Sequence, residues 1–162
     1  MGQSYMYMLL HLKGYYFLES NWEFFNDSES KEIKIGVELV PLKEVLSTNR
    51  LNKLFYRKLV CERNDSFHEK MMQAHSVVHN RPYDTNLVDW IKAAFQIHLG
   101  DERNRRRFWC SALMAYMYVQ IGVLDEELDW SIVSPKQLGT ENKSQSLAFQ
   151  NCVMKTEILL GY

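Results

Sequence analysis

Phe108-Trp109-Cys110-Ser111-Ala112-Leu113-Met114-Ala115-Tyr116 is the stretch on which the reading of this chain turns. It follows the very polar run 101–107, which holds four arginines, and it opens an apolar run that reaches Val123 with Gly122 near its end. That pattern predicts a helix over 108–123. A cysteine in the first turn of such a helix meets backbone N–H groups and the positive end of the helix dipole, which lower a thiol pKa and could hold an oxyanion. The small Ser111 and Ala112 leave room for a substrate. A lone cysteine beside apolar neighbours is more often a small buried hydrophobe, so the stretch by itself leaves both readings open.

Upstream of it, the first half of the chain reads as strands. Tyr5–Leu12 and Tyr15–Leu18 are apolar and aromatic, separated by Lys13-Gly14, which predicts a β-hairpin. The polar segment Asn26–Glu32 predicts an exposed loop. Ile33, Ile35, Val37 and Leu39 alternate as one face of a half-buried strand, with Gly36 weakening it or marking a bulge. Pro41 ends that strand, Leu42–Leu46 suits a short helical turn, and Leu54–Val60 suits another strand. A helix capped by Asp65 or Ser66 then runs to about His79, with Phe67, Met71, Ala74 and Val78 on one face. Arg81-Pro82-Tyr83 breaks it, and 86–99 predicts a further helix stopped by Gly100. Downstream, 125–146 reads as polar loop and Leu147–Leu159 as a last strand. The expected class is α+β, an antiparallel sheet with helices packed on it.

Composition sets the outer bounds. At 162 residues, 46% hydrophobic and 13% aromatic, the chain has one domain's worth of sequence, 1–162, and enough apolar surface for a core. Seven glycines and three prolines leave little for a linker. Nineteen basic against twenty acidic residues give a net charge of −1, so nucleic acid is not an expected partner. No apolar run approaches the ~20 residues of a membrane span, and the N-terminus lacks the pattern of a signal peptide. Cys61, Cys110 and Cys152 are too few and too scattered for a disulfide framework. An intracellular, cytoplasmic setting is the simplest expectation.

Cys61 and Cys152 lie in strand-like contexts and read as core. A nucleophilic Cys110 would need a base and a group to orient it. Glu19 ends the aromatic strand Tyr15–Leu18 and could point from the sheet into a cleft, although a solvated Glu is the commoner outcome. His75 and His79 stand four apart on the predicted helix and could clamp a metal. His68 is too far back to complete the pair, so a solvated helix face is expected there and no metal.

Five segments then line up in order. They are Tyr16-Phe17-Leu18-Glu19-Ser20, Gly36-Val37-Glu38-Leu39-Val40-Pro41-Leu42, Arg81-Pro82-Tyr83-Asp84-Thr85-Asn86, the Cys110 stretch, and Trp130-Ser131-Ile132-Val133-Ser134-Pro135. In this order, over nearly the whole chain, the sequence resembles the circularly permuted papain-like cysteine amidases and peptidases. These are the YiiX-like relatives of the NlpC peptidases, found in bacteria and large DNA viruses. The resemblance implies a permuted papain-like fold and a thiol hydrolase of amide or ester bonds that needs no cofactor. Carried over, Cys110 is the nucleophile and Glu19 orients the imidazole, while Tyr83 falls in a cleft-lining segment as a substrate or oxyanion contact. The implied substrate is a peptide, a lipid amide or another acyl compound.

The departure concerns the base. The family's histidine opens the strand before the Leu-Glu-Ser stretch, and without gaps it falls at about Tyr5. His11 has the same strand parity but lies six residues on, roughly 20 Å along an extended strand. It is a weak surrogate, and tyrosine, with a pKa near ~10, is a poor base at neutral pH. By resemblance, the chain starts partway into the family pattern. Two readings follow: a thiol hydrolase, degenerate at its base position, or a catalytically inactive papain-fold relative acting as a binding module.

Overall fold

Strand-forming aromatic and β-branched residues crowd the first forty positions, and helix formers crowd the middle. The computed structural model, which describes residues 6–7, 16–47, 54–79, 81–82, 110–139 and 147–160, follows that division. Strand β1 (Met6–Tyr7) pairs antiparallel with β2 (Tyr16–Asn26), placing Met6 opposite Phe17 and Tyr7 opposite Tyr16. On its other edge β2 pairs antiparallel with β3 (Ile33–Pro41), and a register shift falls between Asn21 and Phe25. Pro41 closes β3 directly into the short helix α1 (Leu42–Ser47).

The 54–60 segment forms two short strands, β4 (Leu54–Tyr56) and β5 (Leu59–Val60). They pair antiparallel with β7 (Ile158–Leu160) and β6 (Val153–Met154) respectively. The interruption is at Arg57, whose Nε donates to Lys155 O (2.9 Å) and whose guanidinium also donates to Leu138 O. The described residues thus form helices packed on small antiparallel sheets, an α+β arrangement, with three separate sheets where a single sheet was expected.

Helix α2 (Asp65–Val78) is capped one residue earlier than the sequence suggests: Asn64 accepts from Phe67 N (3.0 Å). It buries Met71, Ala74, His75 and Val78. Helix α3 (Cys110–Gln120) is buried on all sides from Ser111 to Val119, as an apolar helix without a polar face must be. It ends in a Schellman motif, with Gly122 at φ 76° and Val123 N donating to Tyr118 O (2.8 Å). The polar stretch after it, expected to be loop, contains a 3₁₀ turn (Trp130–Ile132) and a short helix α4 (Pro135–Leu138). Trp130 is buried there with its ring edge-on to Tyr116 (5.2 Å). Leu18, Val37 and Leu39 of the sheet join α2, α3 and this segment in one core.

Two expectations for the sheet fail for physical reasons. The 26–32 turn is not simply exposed. Asp27 is fully buried because its carboxylate accepts from Leu39 N (2.8 Å) and Ser30 N (2.7 Å) and pairs with Lys34 (3.2 Å). The pattern of β3 also differs from simple alternation: Ile33 (60%) and Ile35 (44%) are exposed, whereas every residue from Gly36 to Val40 is buried.

His75 and His79 do not lie on a solvated face. His75 is buried and its Nε2–H donates to Glu29 Oε2 (2.6 Å), while His79 Nε2 lies 3.1 Å from the same oxygen. The pair ties α2 to the 27–30 turn.

Gly36 sits at φ 143° where the chain after α2 crosses β3. It bridges to Pro82, and Val37 N donates to Arg81 O (2.7 Å). A Cβ at Gly36 would stand 2.2 Å from Arg81 O and 2.8 Å from Pro82 Cα, both backbone atoms. Gly36→Ala is therefore expected to destabilise the fold by about 2–3 kcal/mol, from steric overlap and a backbone angle that alanine resists. Urea unfolding of the variant against wild type checks this.

Candidate active site

Cys110 is the first residue of α3, a helix whose Ala, Leu and Met content favours it locally and whose burial fixes it. Ser111 holds this end in place, its hydroxyl donating to Val133 O (2.7 Å) inside the core. Helix α3 packs on β2, the strand that carries Glu19. The carboxylate of Glu19 lies close enough to Cys110 for its charge to act on the thiol. The charge of Glu19 is the weakest of the influences on that thiol, after burial and the backbone N–H groups.

The electrostatics run opposite to the helix-end expectation. Burial pushes the Cys110 thiol pKa up. The backbone N–H groups of Ser111 and Cys110, which reach the sulfur, pull it down, and the negative charge of Glu19 pushes it up again. The net direction is upward. A cysteine at a helix start gains a low pKa when it is open to water or faces a cation. Here apolar neighbours and a carboxylate outweigh the N–H groups, so the resting sulfur keeps its proton at neutral pH.

Glu38, which sequence reading passed over, stands directly opposite Glu19 in the β2–β3 register, so both side chains leave the same face of the sheet. Glu38 is completely buried and Glu19 nearly so. The available signal was a lone carboxylate inside Gly36-Val37-Glu38-Leu39-Val40. Alternation assigned it to the solvent face, because the covering of both faces of this strand is a tertiary effect.

The described histidines, His68, His75 and His79, all belong to α2 or its end, and none of them is among the groups acting on the Cys110 thiol. Tyr5, the position of the family histidine, lies outside the described residues, as do His11 and Tyr83. So do the predicted 86–99 helix and the 101–107 arginine run. Two near neighbours are placed. Strand β1 begins at Met6 and runs beside the Glu19 strand, and Pro82 is held against Gly36, two residues from Glu38.

Among the described residues, no group of three or more His, Cys, Asp or Glu side chains is arranged to hold a metal ion, and no helix is long and apolar enough to cross a membrane. What the arrangement offers is a thiol with backbone donors at its helix start and, on β2 and β3, a buried carboxylate pair. No family model, no curated protein and no solved structure matches the chain.

Proposed function

We propose that the chain is a thiol hydrolase of amide or ester bonds on a permuted papain-like fold, with Cys110 as its nucleophile. The observation that supports this reading is that Cys110 opens α3, a helix that packs on β2, the strand carrying Glu19. These residues were paired by the family resemblance alone. In this scheme the Cys110 thiolate attacks the carbonyl carbon, and the N–H groups at the helix start hold the oxyanion. The amine or alcohol then leaves with a proton, and water releases the acid from the acyl-enzyme. In the family the chain resembles, an imidazole oriented by the residue at the Glu19 position handles those protons; here its place falls at Tyr5, and solvent must carry them.

The raised Cys110 thiol favours a second reading, a catalytically silent relative that acts as a binding module. Without an imidazole, the proton steps lose the ~10²–10⁴-fold that general acid–base help supplies. Assaying wild type and Tyr5→His on acyl p-nitroanilides separates the two. The hydrolase reading expects slow wild-type turnover and a gain of about 10²-fold or more in Tyr5→His. Equal rates in both, unchanged by Cys110→Ser, would leave the binding module as the better account.

A further inference from the structure

Cys61 and Cys152 are 91 positions apart in sequence, yet they flank the same short ladder. In that ladder Leu59 faces Met154 and Val60 faces Val153, so the next pair in register is Cys61 and Cys152. Lys155 N donates to Lys58 O (2.9 Å), marking 58/155 as a hydrogen-bonded pair. By alternation 60/153 is hydrogen-bonded as well, whereas 59/154 and 61/152 are not. Non-hydrogen-bonded antiparallel partners have Cα atoms ~4.5 Å apart, inside the ~4.4–6.8 Å range that a disulfide spans. The side-chain directions agree. Val60 and Val153 point outward and are exposed, while Leu59, Met154 and Cys152 pack against the core. Both cysteines are half-buried, open enough for a small reagent, and neither is in a disulfide.

We propose that Cys61 and Cys152 form a redox site, a dithiol that a low-molecular-weight disulfide such as oxidised glutathione converts to an intramolecular cross-strand disulfide. The Cys61 thiolate attacks one sulfur of oxidised glutathione, forming a Cys61–glutathione bond and releasing one glutathione thiolate. Cys152 then gives its proton to solvent and attacks the Cys61 sulfur. The protein disulfide forms, and the second glutathione leaves. Two protein thiols are oxidised, and one glutathione disulfide is reduced to two thiols.

The order of attack follows from the surroundings of the two sulfurs. Cys152 is pushed up to about 11 by burial, by the nearby Cys61 charge and by its hydrogen bond to the Cys61 sulfur. Cys152 is therefore the member that holds its proton. Capping Cys61 with glutathione abolishes its charge and disturbs that hydrogen bond, so the first step itself prepares Cys152 for the second.

The bond would close a loop that contains α2, α3 and Cys110. It would also pin a ribbon that is otherwise slight: β4–β7 and β5–β6 hold three and two residue pairs, and Ile158 and Leu159 on β7 are exposed. The site is independent of any chemistry at Cys110.

The full chain is incubated with oxidised glutathione at pH 8 and followed by intact mass, peptide mapping and thermal melting. The expected product is a monomer about 2 Da lighter, with Cys61 linked to Cys152. Its melting midpoint is expected to rise by roughly 10 °C, with reversal by dithiothreitol. Cys152→Ser is expected to stop at the Cys61–glutathione adduct. Glutathione left on both cysteines of the wild type as the end product would overturn the proposal. So would linkage of either cysteine to Cys110 or to a second chain, or no change at either residue.

Discussion

Replacing Asp27 with alanine is expected to lower the unfolding free energy by about 3 kcal/mol. One carboxylate oxygen accepts from Leu39 N (2.8 Å), and the other accepts from Ser30 N (2.7 Å) and faces Lys34 (3.2 Å). Alanine would leave the Leu39 N–H, in the middle of a buried strand, without its acceptor. The main-chain bonds of Asp27, from its N to Glu32 O and from Lys31 N to its O, persist in the variant, so the loss belongs to the carboxylate. The Asp27→Asn change would keep one accepting oxygen but turn its amide toward other donors, with an expected cost of about 1–2 kcal/mol.

Acid adds a second signature. Burial alone would raise the Asp27 pKa, but hydrogen bonds from Ser30, Leu39 and Lys34 outweigh it and hold the carboxyl well below the usual range. A depressed folded-state pKa contributes stability that is present above the unfolded value, ~3.9. That stability is lost as pH falls toward the folded value. Wild type should therefore lose this contribution progressively below about pH 4, and Asp27→Asn should show a shallower decline. Urea unfolding of both at pH 7 and pH 3 measures the difference; equal slopes would remove Asp27 from the account.

Cys110→Ala is expected to reduce hydrolysis of an activated aryl ester to the rate of the ester in buffer, a loss of about 10²–10³-fold. The aryl leaving group needs no protonation, so this substrate reads the sulfur alone. Because the thiol is raised, the wild-type rate should climb through the ordinary thiol range near ~8.5 and keep rising beyond it. Glu19→Gln removes one of the influences that raise the thiol, so its curve should shift to lower pH. A Glu19→Gln curve that overlies wild type would mean that Glu19 does not act on the sulfur.

The helix bearing Cys110 was legible because its apolar run, Gly122 stop and polar approach are local signals. So were the apolar face of α2, which its period writes directly, and the antiparallel pairing of the first strand with the Glu19 strand, whose expected turn at Lys13-Gly14 lies outside the described residues. What escaped depends on contacts distant in sequence. Glu38 looks solvent-facing by alternation and is buried, because β3 is covered on both faces. Asp27 looks like loop and is buried, because its carboxylate completes backbone hydrogen bonds of its own turn and of Leu39. His75 and His79 look like a solvated pair and instead grip Glu29. Cys61 and Cys152, set aside as separate core positions, become neighbours only through the β5–β6 register. For Cys110 the helix start was legible but its electrostatics were not, since burial and Glu19 act across the fold.

The most direct test of the central claim, that Cys110 is the sulfur that accepts an acyl group, is to locate the group. The intact chain is mixed with p-nitrophenyl acetate, quenched in acid at short times and digested, and the acetyl group is assigned by mass. The account predicts one acetyl group on Cys110, formed faster as pH rises, with Cys61 and Cys152 lagging behind. Acetylation of Cys61 or Cys152 ahead of Cys110, or an unmodified Cys110 while p-nitrophenol is released, would contradict it.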